Sequence, residues 1–442
     1  MLSITKRTPQ VMPRLAGALL LACVSCAPAS SGSIATLAVP GRANANVSLA
    51  ADEEFVAAAW SAAETGGTMD IYLSVKPGAD QPFAAPVRVN STPGDARVNG
   101  EQPPRIALVP RASAVPSIVV VWTAKRESGT VLLTARSDDG GRTFGASSLV
   151  PGTDAPGNRG WHALGTDASD NVHVVWLDHR RMASNAKAES THRHGATAEA
   201  GKDTVDMSQL SDLYAATLDN PASSAALTAG VCYCCKTAIA PAAARLHSGQ
   251  AGGAMHIAWR HVYPGNLRDI AFTTLLGPGS SLGPARVSED QWMLQGCPDD
   301  GPAMDVDRGG RIHIVWPTVV ADQGAGQKVL FYAASDDGRT FTPRTRLPVE
   351  GQANHPQIAI ARDGTLMLAW DEVNGSVRRI VIARSEGDGL PAAPVFRRDR
   401  SAADQIGVYP AIALTPTTSI VAWTSGAPAE SSIRVLQMHA VH

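Results

Sequence analysis

No charge of one sign dominates this 442-residue chain, in which 38 Lys and Arg stand against 40 Asp and Glu. A protein that follows a phosphate backbone needs a basic stripe to displace counterions, so nucleic acid is not an expected partner. Long apolar runs are also missing: after residue 24 no stretch approaches the ~20 residues that carry a helix across a bilayer. What the chain does have is a leader of distinct character and, behind it, a short phrase written many times.

In the leader, Lys6, Arg7 and Arg14 precede the apolar run Leu15 to Val24, and small residues follow at once. Short and led by basic residues, this is the pattern of an export signal rather than of a membrane span. Leu20-Leu21-Ala22-Cys23 resembles the cleavage box of bacterial lipoproteins, which implies lipidation of Cys23, with Cys26 as the alternative. Residues 1–22 are therefore expected to form a signal segment. Residues 23–442 are expected to be one extracytoplasmic domain, in the cell envelope, periplasm or secreted. It should be monomeric and touch a membrane through a lipid anchor alone.

The repeated phrase is an alternating apolar strand that ends in tryptophan: Phe55 to Trp60, Ile118 to Trp122, Val172 to Trp176, Met255 to Trp259, Ile312 to Trp316, Leu366 to Trp370 and Ile420 to Trp423. Successive tryptophans lie 53 to 62 residues apart, except for one interval of 83 between Trp176 and Trp259. A strand-rich unit of that size cannot bury its own apolar face and must stack on copies of itself. The unit is plainest from His355 to Val395, where Asp363-Gly364 supplies the tight turn between two alternating strands. Bulky aromatics at the end of one strand face suit the wedge-shaped gap between neighbouring sheets. The prediction is an all-β fold: a seven-bladed β-propeller of four-stranded antiparallel blades. The long interval holds a loop insertion at about residues 182–209, rich in Ala, Ser, Thr and Gly. The last blade shows only three strands, and Ile34 to Val39 is expected to supply the fourth, closing the ring and removing its exposed edges.

Ser137-Asp138-Asp139-Gly140-Gly141-Arg142-Thr143-Phe144 matches Ser-x-Asp-x-Gly-x-Thr-Phe, the Asp-box of sialidase-like propellers. A second copy, Ser335-Asp336-Asp337-Gly338-Arg339-Thr340-Phe341, is one residue shorter. In such a box the Asp and Ser/Thr side chains hold turn amides, Gly accepts positive φ and Phe plugs the hairpin into the blade. On these motifs the chain resembles the sialidase-like, or BNR-repeat, propellers. It is similar in particular to an exported bacterial group that carries a Cys-x-Cys-Cys run, a Trp-Arg-x-x-x-Pro-Gly-Asn-x-Arg-Asp stretch and a Gly-Cys-Pro stretch. Here these are Cys232-Tyr233-Cys234-Cys235, Trp259 to Asp269 and Gly296-Cys297-Pro298.

In an antiparallel blade, loops entering the first strand and loops joining the second to the third emerge on one face, opposite the Asp-box turns. The former carry Trp161, His162, Cys232 to Lys236, Cys297 to Asp300, His355 and Tyr409. The latter carry Asp178, Arg180, Arg181, Arg260, His261, Tyr263 and Asp371-Glu372. One face therefore collects the unusual polar chemistry, and a glycan or protein ligand is expected there. Cys232, Cys234, Cys235 and Cys297 should meet between adjacent blades. They would form disulfides in an oxidising compartment, with Cys297 pairing Cys232 or Cys235, or a soft-metal site for Cu or Zn to which His192 and His194 could contribute.

The sialidase resemblance implies an arginine cluster that grips a carboxylate bidentately, a Tyr nucleophile assisted by Glu, and an Asp acid/base. By loop position these would be Arg180, Arg181 and Arg260, then Tyr409 with Glu372, and Asp178 or Asp300. The Arg-Ile-Pro string of sialidases is absent, Pro104-Arg105-Ile106-Ala107 being the nearest, and sialidases have six blades. Three functions stay open: a ligand-binding propeller, an exo-sialidase or related glycoside hydrolase, and an accessory to extracytoplasmic metal or thiol handling.

Overall fold

A computed structural model describes residues 32–112, 115–184, 210–242, 253–294, 298–320, 326–386, 394–399 and 405–439. The signal segment, Cys23, Cys26, His192, His194, Cys297 and nearly all of the expected insertion lie outside the described residues. The regular secondary structure of the rest is almost entirely strand, arranged as seven antiparallel sheets.

Blade 1 is β2 (Ala43–Asp52), β3 (Phe55–Ala63), β4 (Met69–Lys76) and β5 (Val87–Arg88). Blade 2 is β6 (Arg105–Val109), β7 (Ser117–Arg126), β8 (Gly129–Ser137) and β9 (Ser148–Leu149); blade 3 is β10 (Arg159–Thr166), β11 (Val172–Asp178), β12 (Asp212–Thr217) and β13 (Ala225–Ala229). Blade 4 is β14 (Ala238–Pro241), β15 (Met255–Arg260), β16 (Ile270–Gly277) and β17 (Ser280–Ser281), with β18 (Ala285–Arg286) also pairing β16. Blade 5 is β19 (Ala303–Val306), β20 (Ile312–Val320), β21 (Gln327–Ser335) and β22 (Thr345–Arg346); blade 6 is β23 (Gln352–Ile360), β24 (Leu366–Asn374), β25 (Val377–Ser385) and β26 (Phe396–Arg398). Blade 7 is β27 (Val408–Leu414), β28 (Thr418–Ser425), β29 (Ser432–His439) and, outermost, β1 (Ser33–Leu37).

The first strands of consecutive blades are neighbours all the way round, from β2 through β6, β10, β14, β19 and β23 to β27 and back to β2. They form the wall of the axis. The N-terminal strand closes the ring as expected, Ile34 pairing Leu436 and Leu37 pairing Ile433. Each of the seven repeat tryptophans lies on a second strand and is at most 1% exposed, packed with the Val, Ile and Ala of adjoining blades. Burying one such side chain contributes about 3 kcal/mol, so the repeat carries much of the inter-blade cohesion.

Both Asp-boxes form their turns between third and fourth strands. Asp139 accepts from the amides of Arg142 (2.9 Å) and Thr143 (3.0 Å) and from the Thr143 hydroxyl (2.6 Å), while the Gly141 amide donates to Ser137 (2.9 Å). Those bonds hold the Asp139 carboxyl down at about 2. The shorter box keeps the same scheme, with the Arg339 and Thr340 amides on Asp337 and the Gly338 amide on Ser335. Gly141 (φ +86°) and Gly338 (φ +66°) occupy the left-handed region, and a Cβ on Gly141 would lie 2.9 Å from Val75. Phe144 packs into the core between blades 1 and 2, and Phe341 stacks edge-on against Phe272.

Candidate functional site

Side chains alternate along a strand, so the residue two after each tryptophan shares its face. At three blades that residue accepts the buried indole N–H: Trp176 donates to Asp178 (3.1 Å), Trp259 to His261 (3.4 Å) and Trp370 to Glu372 (3.1 Å). These side chains, taken from their loop position as catalytic or ligand groups, instead complete the packing between blades. Asp178 is fully buried, bonded also to Arg159 (3.1 Å) and Arg180 (2.7 Å). Glu372 is held by Arg398 (3.2 Å).

The three arginines expected to clamp a carboxylate do not converge. Arg180 pairs with Asp178 and lies over the Tyr214 ring, and Arg181 pairs with Asp212. Arg260 is 1% exposed and donates to three backbone carbonyls, those of Asp300, Arg268 and Pro317. Tyr263 lies under Arg286 and beside His261. His162 is buried, its Nε2 3.1 Å from the Val121 carbonyl, and burial drives it down to about 3, so it is a neutral core imidazole.

A bulge recurs where the first strand meets this face. Asn46, Trp161, His355 and Tyr409 have φ of +61°, +52°, +53° and +54°, each inside a register shift between first and second strands. A non-glycine residue in that region stores about 1–3 kcal/mol of strain, and a bulge re-aims a side chain. In all four cases the amide of the strained residue donates to a side chain of the preceding blade: Asn46 to Thr424 (3.0 Å), Trp161 to Gln102 (3.4 Å), His355 to Asp300 (3.0 Å) and Tyr409 to Asp371 (3.1 Å). Each bulge is thus latched across a blade boundary.

Two of these residues enter a charged cluster at the axis. His355 Nδ1 lies 2.5 Å from Asp371 Oδ1, its Nε2 lies 3.7 Å from Glu101, and its ring stacks on Tyr409 at 4.2 Å. Asp300 pairs with Lys328 (2.9 Å), and Lys236 donates to the Pro356 carbonyl (2.8 Å). Gly100 admits the Tyr409 ring, since a Cβ there would lie 1.8 Å from Cζ. The electrostatics sort the carboxyls. Burial pushes Glu101 up to about 7 against the pull of Lys236 and His355. Burial acts on Asp300 in the same sense, but Lys328, His355 and Lys236 outweigh it and hold that group at about 2. Asp300, expected as a proton donor, is therefore a fixed anion. Burial lowers His355, yet the charge of Asp371 beside it prevails and the imidazole is raised above its ordinary value. Tyr409 is raised to about 12 by burial, with Glu101 and Asp371 adding to the effect.

The partner of Tyr409 is thus Glu101 with His355, while Glu372, consecutive to Asp371, points to the opposite face of β24. Glu101 was not among the expected residues. It sits in the loop entering blade 2, just before Pro103-Pro104 and β6, and applying the loop rule to that blade identifies it. The space at this cluster is small, about 20 Å³, lined among others by Glu101, Arg105, Lys236, His355 and Tyr409.

Beside it, on the same face, blades 1 to 3 enclose a cavity of about 420 Å³. Its wall includes Arg97, Asn99, Gln102, Thr123, Asn158 and Trp161. The Trp161 indole N–H and one Arg159 guanidinium nitrogen are buried with no hydrogen-bond partner among the described residues.

Trp161 also packs against the cysteine run. Cys232 and Cys235 are buried free thiols, so the expected pairing of either with Cys297 is not formed. Cys234 is disulfide-bonded, which removes one of the three adjacent sulfurs from any thiolate metal set. Cys235 donates to Cys232 at 3.5 Å, Arg268 Nη1 lies 3.4 Å from Cys232 Sγ, and Cys234 Sγ lies 4.0 Å from it.

No protein-family model and no curated protein matches the chain. Solved structures do. An ulvan lyase of a polysaccharide lyase family matches with a TM-score of 0.51 at 10% identity, covering 90% of this chain and 94% of the other. The polysaccharide lyase Uly1 matches with a TM-score of 0.50 at 9% identity over 89% and 90%. An α-L-arabinofuranosidase of Fusarium graminearum matches with a TM-score of 0.48 at 9% identity over 92% and 97%. At these identities the likeness is one of fold.

Proposed function

We propose that this propeller binds a glycan on the face where the first-strand loops emerge, in the cavity walled by blades 1 to 3. The cavity lining carries the reading: about 420 Å³ edged by amides, hydroxyls and a guanidinium around an indole. Pyranose rings present apolar faces to an aromatic plane and hydroxyls to amides and guanidinium groups, and a few convergent polar groups fix orientation. The two neighbours that share the fold at TM-scores of 0.50 and 0.51 are named as polysaccharide lyases, which agrees with a carbohydrate ligand. Calorimetric titration against a panel of neutral and acidic oligosaccharides tests the proposal. Binding should weaken tenfold or more in Arg97→Ala, Asn158→Ala and Trp161→Ala. Absence of binding across the panel, or binding untouched by all three changes, overturns it.

A second reading, cleavage of the bound glycan, is favoured by Glu101, a buried carboxyl held near 7 beside Tyr409 and His355. A group that titrates near neutrality suits general acid–base work. Release of new chain ends, or turnover of a fluorogenic sialoside, should appear in the native protein and vanish in Glu101→Gln. We further place the propeller outside the cytoplasm, anchored through Cys23; incorporation of labelled fatty acid, lost in Cys23→Ala, is the check.

A further inference from the structure

We propose that the axis of the ring holds a second binding site, one for a small oxyanion, built by Arg105, Lys236 and Gln357. Arg105 opens β6 of blade 2, Lys236 stands two residues before β14 of blade 4, and Gln357 lies on β23 of blade 6. Three blades that are not neighbours thus meet here. The three side chains wall the 20 Å³ space beside Tyr409 and also a second space of about 140 Å³, whose remaining wall is mostly apolar, with Leu164, Ile239 and Met304 among it. No Asp or Glu lines the larger space, and it shares no residue with the cavity of blades 1 to 3.

Unspent donors mark it as a site. The Arg105 guanidinium commits Nε to the His162 carbonyl (3.2 Å), and its two Nη groups bond to no described residue. Lys236 Nζ donates once, to the Pro356 carbonyl (2.8 Å), although an ammonium carries three protons. The Gln357 amide has no partner among the described residues. Arg105 and Gln357 are only half-buried although they belong to the innermost strands, so water reaches them along the axis. The charges agree with the geometry. Burial brings Arg105 down to about 10, with Glu101 alone pulling back. Lys236 is lowered by burial first; Glu101 and Asp300 oppose the fall, and the charge of Arg105 adds to it. Two cations therefore repel each other across a space that no carboxylate lines. An oxyanion placed there accepts from both and from the Gln357 amide, which ties blades 2, 4 and 6 together. The planar fork of arginine matches two oxygens of a carboxylate, phosphate or sulfate. A water needs about 10–15 Å³, so the space has room for such an ion with part of its hydration shell.

The test follows thermal unfolding and calorimetric titration of the full-length protein in acetate, phosphate or sulfate, with chloride at matched ionic strength as the reference. At least one oxyanion should bind saturably, one per chain, and raise the unfolding midpoint with its concentration, as a ligand confined to the folded state must. Chloride should do neither. Which of the three binds separates a carboxylate ligand from a tetrahedral one. Arg105→Lys keeps the charge but removes the fork and should weaken binding about tenfold, whereas Gln357→Ala, which deletes one neutral donor, should weaken it about threefold. Should Arg105→Lys fail to fold, Gln357→Ala decides alone. No saturable binding of any oxyanion, equal binding of chloride, or affinity unchanged in the folded variants overturns the proposal.

Discussion

Replacing Glu101 with Gln removes one titrating proton from the axis while leaving its volume in place. In the folded protein burial raises this carboxyl from 4.5 to about 7. The folded state therefore retains a proton that the unfolded chain releases across that window, and stability must fall as pH rises through it. At about 1.4 kcal/mol per pH unit, the loss between pH 4.5 and pH 8 amounts to about 3 kcal/mol. His355, whose folded value is also raised, adds a loss in the same direction as pH climbs past its own folded value; Asp371, the larger cause of that raising, stays in the variant, while the smaller pull of Glu101 is removed with it. Asp300, held at about 2, contributes stability that disappears only as pH falls below the ordinary aspartate range, outside the window. The measurement is urea unfolding of both proteins at several values between pH 4.5 and pH 8. The drop across that span should be smaller in Glu101→Gln by about 3 kcal/mol. Parallel pH profiles would show that Glu101 ionises as it does in water, and the assignment of the axial proton to this residue would fall.

Two further outcomes follow from contacts at single residues. Gly100→Ala sets a methyl 1.8 Å from the Tyr409 ring, so the ring must leave its stack on His355; overpacking of this kind costs about 1–3 kcal/mol, readable as a lowered urea midpoint. Asp178→Ala leaves the fully buried Arg159 guanidinium without its carboxylate. The expected loss is about 3–5 kcal/mol, readable as a lowered urea midpoint, as befits a group that completes packing.

Blade number, blade phase and the closing strand were legible because each depends on a local pattern: an alternating strand, an indole at its end, a missing fourth strand. The Asp-boxes were legible because their hydrogen bonds join residues at most four apart. The site was only partly so. Loop type gathered His355, Tyr409, Trp161 and Asp300 on the correct face, yet loop type ignores the two-residue period that sends Asp178, His261 and Glu372 back to the indoles. Nor do the bulges announce themselves. A left-handed backbone is usually flagged by glycine, and here it is held by Asn46, Trp161, His355 and Tyr409, through bonds to Thr424, Gln102, Asp300 and Asp371 that no local window contains.

Those latches divide the face into two regimes. Asp371 accepts from both the His355 imidazole and the Tyr409 amide, so one carboxylate orients the axial groups and fastens blade 7 to blade 6. Asp300 does the same between blades 5 and 6. A substitution at either must disturb the axial chemistry and the joining of blades together, and a stability assay alone cannot separate them. Arg97, Asn99 and Asn158, on the wall of the larger cavity, are exposed and take no part in a latch. Surface changes of that kind usually cost within ±0.5 kcal/mol. Ligand preference can therefore be altered at these three wall positions at little cost to the ring, whereas Trp161 with Gln102, and the axial constellation, are tied to the fold that presents them.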